Sequence, residues 1–270
     1  HLPFTAPAKY WDLYDRSRIQ VPSTKPMMNG VPYAASNWGE LKAYPDIEPG
    51  QDPLSPAKSR ELIHGYYACV SYMDAQVGKV LRALQKNQQR KNTIVLLWGD
   101  HGWYLGDFGD WCKHSNYEVA TRVPLIVSPP EKFDVQRGAG SNAMVEFVDI
   151  FPTLTELAGL PTPSHCQGDS MMPLLSRPDR PWKEAAFSQY KKTKKGSGSM
   201  LGTSVRTKQF RYTEWRSTRS NDLDAIELVD FANDPKAMRN VASDPIYADQ
   251  LEKLSELADQ SGSGVRPPAR

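Results

Sequence analysis

The chain has 270 residues, 39% hydrophobic and 24% charged, with 33 Lys and Arg against 31 Asp and Glu for a formal charge of +2. So even a balance argues against a dedicated nucleic-acid or membrane-surface protein, and the composition is that of a globular chain long enough for one large domain or a domain with a small companion. No apolar stretch approaches transmembrane length, and the three cysteines, Cys69, Cys112 and Cys166, have neither metal-binding nor disulfide-framework spacing.

Residues 1–50 are rich in proline and aromatics and carry little periodicity. HLPFTAPAKYWDLYD reads as an extended segment followed by a helical turn over 10–14, and the stretch through Asp52 as a long ordered loop over a surface. Ser55-Pro56 then opens a helix as N-cap and first helical residue. Leu62, Tyr66, Cys69, Met73, Val77, Val80 and Leu84 recur every three or four positions, one apolar stripe on a helix of about eight turns. The polar run 87–92 ends it. Residues 93–97 are an apolar run with β-branched residues in front, which predicts a buried parallel strand. Helix, short loop and buried strand are the grammar of an α/β sheet.

Trp98-Gly99 stops that strand, and Asp100-His101-Gly102 follows at once. In open α/β sheets, ligands bind beyond the carboxyl ends of strands. A carboxylate beside an imidazole at that place presents an oxygen and a nitrogen to one cation; the alternative is a strand cap with both side chains satisfied locally. Lys113 closes the stretch, where an ammonium could meet an anionic substrate. Farther on, VPLIV at 123–127 is a second short strand, stopped by Pro129-Pro130. Asp149 heads a helix through Thr153, Leu154 and Leu157 to Ala158, with Gly159 as terminator. KKTKKGSGS at 191–199 reads as a flexible, solvated basic loop. Residues 203–207 and 210–215 predict a hairpin, 226–231 a third strand, and 245–259 an amphipathic helix on Tyr247, Leu251, Leu254 and Leu257. Strands followed by one helix suggest a small α+β subdomain; SGSGVRPPAR reads as a disordered tail.

HLPF at 1–4, YYACVSYMDAQVG at 66–78, GDHGWYLGDFGDWCKHSNYE at 99–118, TRVPLIV at 121–127, VEFVDIFPTLTELAGLP at 145–161 and SVRTKQFRYTEW at 204–215 together give the chain a likeness. It resembles the C-terminal portion of the formylglycine-dependent sulfatases of the alkaline-phosphatase-like superfamily, most of all the iduronate-2-sulfatase-type branch. The resemblance implies a mixed α/β sheet flanked by helices, with residues 1–182 the C-terminal part of the catalytic domain, 183–262 a small antiparallel-sheet subdomain and 263–270 a tail. It implies hydrolysis of a sulfate ester on a sulfated glycan, assisted by Ca2+. Asp100 and His101 match the family's second pair of metal ligands, Lys113 matches the lysine that contacts the sulfate, and Trp103 is a candidate lining of the sugar pocket. Asp107 and His114 are expected to be loop structure.

Other family features are not in this sequence. There is no C-x-P-S-R, the context in which a cysteine becomes formylglycine: Cys69 is followed by VSYM, Cys112 by KHSN and Cys166 by QGDS. The first metal-binding aspartate pair is also absent, and His1 is expected to neighbour the active-site histidine. Phe108 stands where relatives often have histidine, Asp107 replaces a glutamate, and Ser199 falls near a basic residue that holds the uronate carboxylate. The expectation is half a site: Ca2+ shared with ligands outside this chain, a formylglycine in a missing N-terminal half that would be its partner, and negligible activity alone. A sulfated sugar is the expected substrate, with no nucleic acid and no membrane span, in a bacterial periplasmic or extracellular setting rather than a lysosome. The alternatives are a portion of a metal-dependent phosphatase or phosphodiesterase of the same superfamily, and a non-catalytic truncated product.

Overall fold

The structure, a computed structural model, describes residues 2–23, 33, 39–48, 50, 53–194 and 198–262. His1 and the expected 263–270 tail lie outside the described residues, as do part of the N-terminal loop and the centre of the basic run. In chain order the elements are α1 (Ala8–Trp11), α2 (Gly39–Lys42), α3 (Pro56–Lys86), β1 (Val95–Trp98), β2 (Tyr104–Leu105), β3 (Trp111–Cys112), α4 (Glu118–Thr121), β4 (Leu125–Ser128), α5 (Ile150–Ala158), α6 (Met172–Ser176), β5 (Ala185–Lys194), β6 (Gly198–Thr207), β7 (Phe210–Ser217), β8 (Leu223–Asp230) and α7 (Ala248–Gly262). Two compact units emerge. One takes in His1–Pro26, Ala35–Lys91 and Asp100–Val123; the other takes in Met27–Ala34, Asn92–Gly99 and Pro124–Arg270.

The first unit is built on α3. Ser55 Oγ accepts from the Lys58 backbone N–H at 3.2 Å and Pro56 occupies the first helical turn, where its missing N–H costs nothing. Leu62, Ile63 and Ala68 are buried, and Leu62 and Ile63 pack in a core with Leu2, Ile19, Leu41, Ile47, Leu54, Trp103 and Trp111. The N-terminal segment therefore does more than run over a surface: its apolar residues are core. His64 is also buried. It donates from Nε2 to the Trp11 carbonyl at 2.8 Å and accepts at Nδ1 from Arg16 Nε at 3.1 Å, so both ring nitrogens are satisfied. Beyond Ala68 no residue of α3 is buried, and Met73 and Val80 are 49% and 62% exposed. The stripe continues in sequence, but the described residues do not cover it.

In the second unit, β1 and β4 pair antiparallel, Val95 opposite Ser128 and Trp98 opposite Leu125, as a two-stranded sheet. The expectation of a buried parallel strand is corrected on both counts, for the pairing is antiparallel and Val95, Leu96 and Leu97 are only partly buried; Trp98 and Ile126 are half exposed. An apolar run specifies a strand but not the direction or number of its neighbours. α5 begins after Asp149 and ends at Gly159, which adopts the left-handed φ of 71° expected of a helix terminator.

The four-stranded antiparallel sheet runs in the order β5-β6-β7-β8. The predicted hairpin is β6 and β7, and the predicted third strand is β8. The basic run is mostly strand rather than loop: Lys191, Lys192, Thr193 and Lys194 pair with Leu201, Met200, Ser199 and Gly198. β5 is an edge strand, where lysines discourage pairing with other chains, and that charge hid it in the sequence. Leu254 and Leu257 of α7 pack on Val205, Tyr212 and Leu228. Glu214 ties helix to sheet, accepting from Tyr212 Oη at 2.6 Å, Ser255 Oγ at 2.8 Å and Arg216 Nε at 2.7 Å.

The buried ammonium of Lys183 joins the α5 entry to the start of the sheet. It donates to Asp149 and lies 3.5 Å from both Glu146 and Asp169. Asp149 is fully buried and also accepts from the backbone of Glu146 and Asp169. Removing one partner of a buried ion pair leaves the other uncompensated. Lys183→Ala is expected to lose about 3–5 kcal/mol in urea unfolding; a loss near zero would show that the network carries no stability.

Candidate functional site

The turn after β1 places Asp100 and His101, whose side chains are 84% and 32% exposed. Asp100 Oδ1 accepts from the His101 backbone N–H at 3.1 Å. His101 Nδ1 donates to the Gly102 carbonyl at 2.9 Å. A carbonyl only accepts, so Nδ1 carries the proton and Nε2 keeps its lone pair. That Nε2 lies 3.6 Å from Asp100 Oδ2. Two donor atoms at this spacing suit one hard cation at ligand distances of about 2.3–2.6 Å. Among the described residues no group of three or more His, Cys, Asp or Glu side chains forms a metal cage. For Ca2+, which takes about 6–8 oxygen ligands, the pair is a partial donor set: Asp100 supplies a carboxylate oxygen and His101 adds a nitrogen beside it.

Gly102 holds this turn down. Its N–H donates to the Ala120 carbonyl at 2.8 Å, and a Cβ added there would lie 1.8 Å from the Val119 carbonyl oxygen. The approach of two backbones leaves room for no side chain.

Trp103 follows, 9% exposed and part of the core. Its ring centroid is 6.0 Å from that of His101 and 6.1 Å from that of Phe4, and Lys113 Nζ sits 5.0 Å over the ring. The indole joins the donor pair to the ammonium, bringing Asp100, His101 and Lys113 to one region of the first unit. Little of its surface is left for a sugar to stack on, so burial turns the expected pocket wall into a support.

β2 and β3 form a short hairpin, Tyr104 opposite Cys112 and Leu105 opposite Trp111. Asp107 is loop structure, accepting from the Leu105 N–H at 3.1 Å. Cys112 is fully buried at a left-handed φ of 69°, a conformation that costs a residue with a Cβ about 1–2 kcal/mol. Burial, then the charge of Glu40, pushes its thiol up to about 12. It remains a protonated structural thiol, and the bend at this residue delivers Lys113 and His114 to α2.

There Lys113 Nζ donates to Glu40 Oε1 at 2.6 Å and His114 Nε2 donates to Glu40 Oε2 at 2.7 Å. Burial disfavours the charged carboxylate, but the hydrogen bonds from Lys113 and His114 outweigh it and hold Glu40 below its ordinary value. Glu40 lies 73 positions from Lys113, in a segment without periodicity, and nothing in its local sequence marks it. His114, expected as loop structure, is the other arm of the same bridge.

Comparison with known proteins gives two family matches. Residues 1–160 match the sulfatase family, and residues 99–262 match the family described as N-sulphoglucosamine sulphohydrolase, C-terminal. The chain is 30% identical to the iduronate 2-sulfatase of Mus musculus over 94% of this chain and 58% of that protein. It is 29% identical to a sulfatase of Formosa agariphila over 97% of this chain and 48% of that protein. The chain thus spans about half the length of the curated relatives it matches. A protein solved in complex with its substrate D-glucosamine-2-N,6-O-disulfate is 28% identical, with a TM-score of 0.69 over 78% of this chain and 43% of that one. The phosphonate monoester hydrolase of Agrobacterium radiobacter shares the fold, at 22% identity and a TM-score of 0.79 over 98% of this chain and 55% of that one.

Gly102→Ala forces two backbones apart. It is expected to cost about 3 kcal/mol, the upper end for overpacking, and to displace the His101 ring. Thermal melting with histidine side-chain NMR checks both; a melting temperature within a degree of the parent would contradict the close approach.

Proposed function

The chain belongs to the sulfatase family, and on that premise we propose that it is the C-terminal portion of a calcium-assisted sulfuric ester hydrolase of the iduronate-2-sulfatase type, acting on sulfated glycans. One observation carries the reading: the Asp100–His101 donor pair and the Lys113 ammonium flank the same indole, Trp103. Asp100 Oδ2 and His101 Nε2 would hold the cation. Bound there, Ca2+ supplies Lewis-acid withdrawal of charge from the sulfate oxygens.

The roles of this chain's own residues follow from chemistry. Lys113 offers ammonium N–H to the ester, where a fixed positive donor stabilises charge as it builds on oxygen. Trp103 keeps that ammonium in place from one side and Glu40 from another. None of the three cysteines stands in the sequence that matures to formylglycine, and Cys112 is buried and protonated. On this reading the nucleophile is supplied from outside this sequence, by the proposed partner of this chain. Surfaces on each unit support such a partner: the stripe of α3 that the described residues leave exposed, with Met73 and Val80, and the two-stranded β1–β4 sheet, with Trp98 and Ile126 exposed. The named substrates of relatives favour an aminosugar or uronate sulfate. Ser199 falls near the basic residue that iduronate-type members use to hold the uronate carboxylate, which weakens a uronate as the sugar.

The test is hydrolysis by the complete gene product. An aryl sulfate and a sulfated disaccharide should be cleaved, chelation of calcium should stop turnover, and Lys113→Ala should lower kcat about a hundredfold or more. Cleavage of phosphate esters with no sulfate ester turned over would overturn the proposal.

A further inference from the structure

Glu40 has a charge role beyond holding a lysine. Its two oxygens are both committed, one to Lys113 and one to His114. The neighbouring Leu41 is fully buried in the core of the first unit, which anchors α2. Glu40 is faced by Lys113, His114, Tyr44 and Cys112, of which Tyr44 and Cys112 are raised and remain neutral near pH 8. The formal charges of Lys113 and Glu40 cancel. The ammonium still donates a strong, charge-assisted hydrogen bond, but the field it casts is trimmed.

Sulfate and phosphate monoesters share a tetrahedral shape and differ in charge. A sulfate monoester carries one negative charge; a phosphate monoester loses its second proton near pH 6 and carries about two at pH 8. The second charge meets Glu40 within the reach of a hydrogen-bonded neighbour, where unit charges interact strongly in a partly buried site.

We propose that Glu40 is a specificity-determining residue: it tunes the Lys113 seat to a singly charged tetrahedral ester and disfavours a doubly charged one. This rests on the sulfatase reading and deepens it, because it names the charge state of the substrate. Asp100, His101 and Lys113 act on either ester; Glu40 is what tells them apart.

The experiment uses the complete gene product at pH 8 and compares kcat/KM for three esters of one leaving group: 4-nitrophenyl sulfate, 4-nitrophenyl phosphate and 4-nitrophenyl phenylphosphonate. The last is a phosphorus ester with a single charge. Glu40→Gln should lower the sulfate-to-phosphate ratio by about tenfold or more, with phosphate turnover rising. The sulfate-to-phosphonate ratio should hold. Glu40→Asp, which keeps the charge, should stay close to the parent in both ratios. A Glu40→Gln ratio that does not move, or an equal fall on all three esters, would overturn the proposal and leave the sulfatase reading standing. Absence of sulfate turnover in the parent, with phosphate cleaved, would sink both. A change in the phosphonate ratio as large as that in the phosphate ratio would show a shape effect and also overturn the charge argument.

Discussion

The site depends on the burial of one indole. Trp103 lies in the core of the first unit and touches the His101 ring on one flank and the Lys113 ammonium on another. A large aromatic held in a packed core has one orientation, and through it the Asp100–His101 pair and the Lys113 ammonium have a fixed relation. Gly102 makes this possible from the N-terminal side by letting the turn press against the backbone of α4. Cys112 makes it possible from the C-terminal side through its left-handed bend. Both are places where local backbone preference yields to the site.

Much of the fold was legible because its signals are local. Ser55-Pro56 marked the start of α3, Gly159 marked the end of α5, and leucine spacing marked α7. The β6–β7 hairpin and β8 were legible for the same reason. What was not legible depends on distant partners. The apolar run before Trp98 gave a strand, but its antiparallel neighbour lies some thirty residues on, and periodicity says nothing of direction. β5 was hidden by lysines that an edge strand tolerates and a loop also favours. Proline and aromatic density in the N-terminal segment read as surface loop, whereas Leu2, Ile19 and Leu41 are core.

The site divides in the same way. Asp100, His101 and Lys113 could be singled out because they lie within one short stretch and resemble a family's motif. Trp103 was found as an aromatic of that stretch, but its burial could not be read there. Glu40 was missed because no spacing joins it to Lys113. Its signal exists only in three dimensions, as a carboxylate that two basic side chains hold ionised. One carboxylate receives both Lys113 and His114.

The account stands or falls on where a divalent cation binds. The direct measurement is a crystal structure of the complete gene product grown with calcium and a non-hydrolysable sulfate ester analogue. The account predicts a cation bound by Asp100 Oδ2 and His101 Nε2, with the sulfur group between that cation and Lys113 Nζ. A cation bound without those two residues, or a sulfate group remote from Lys113, would contradict it.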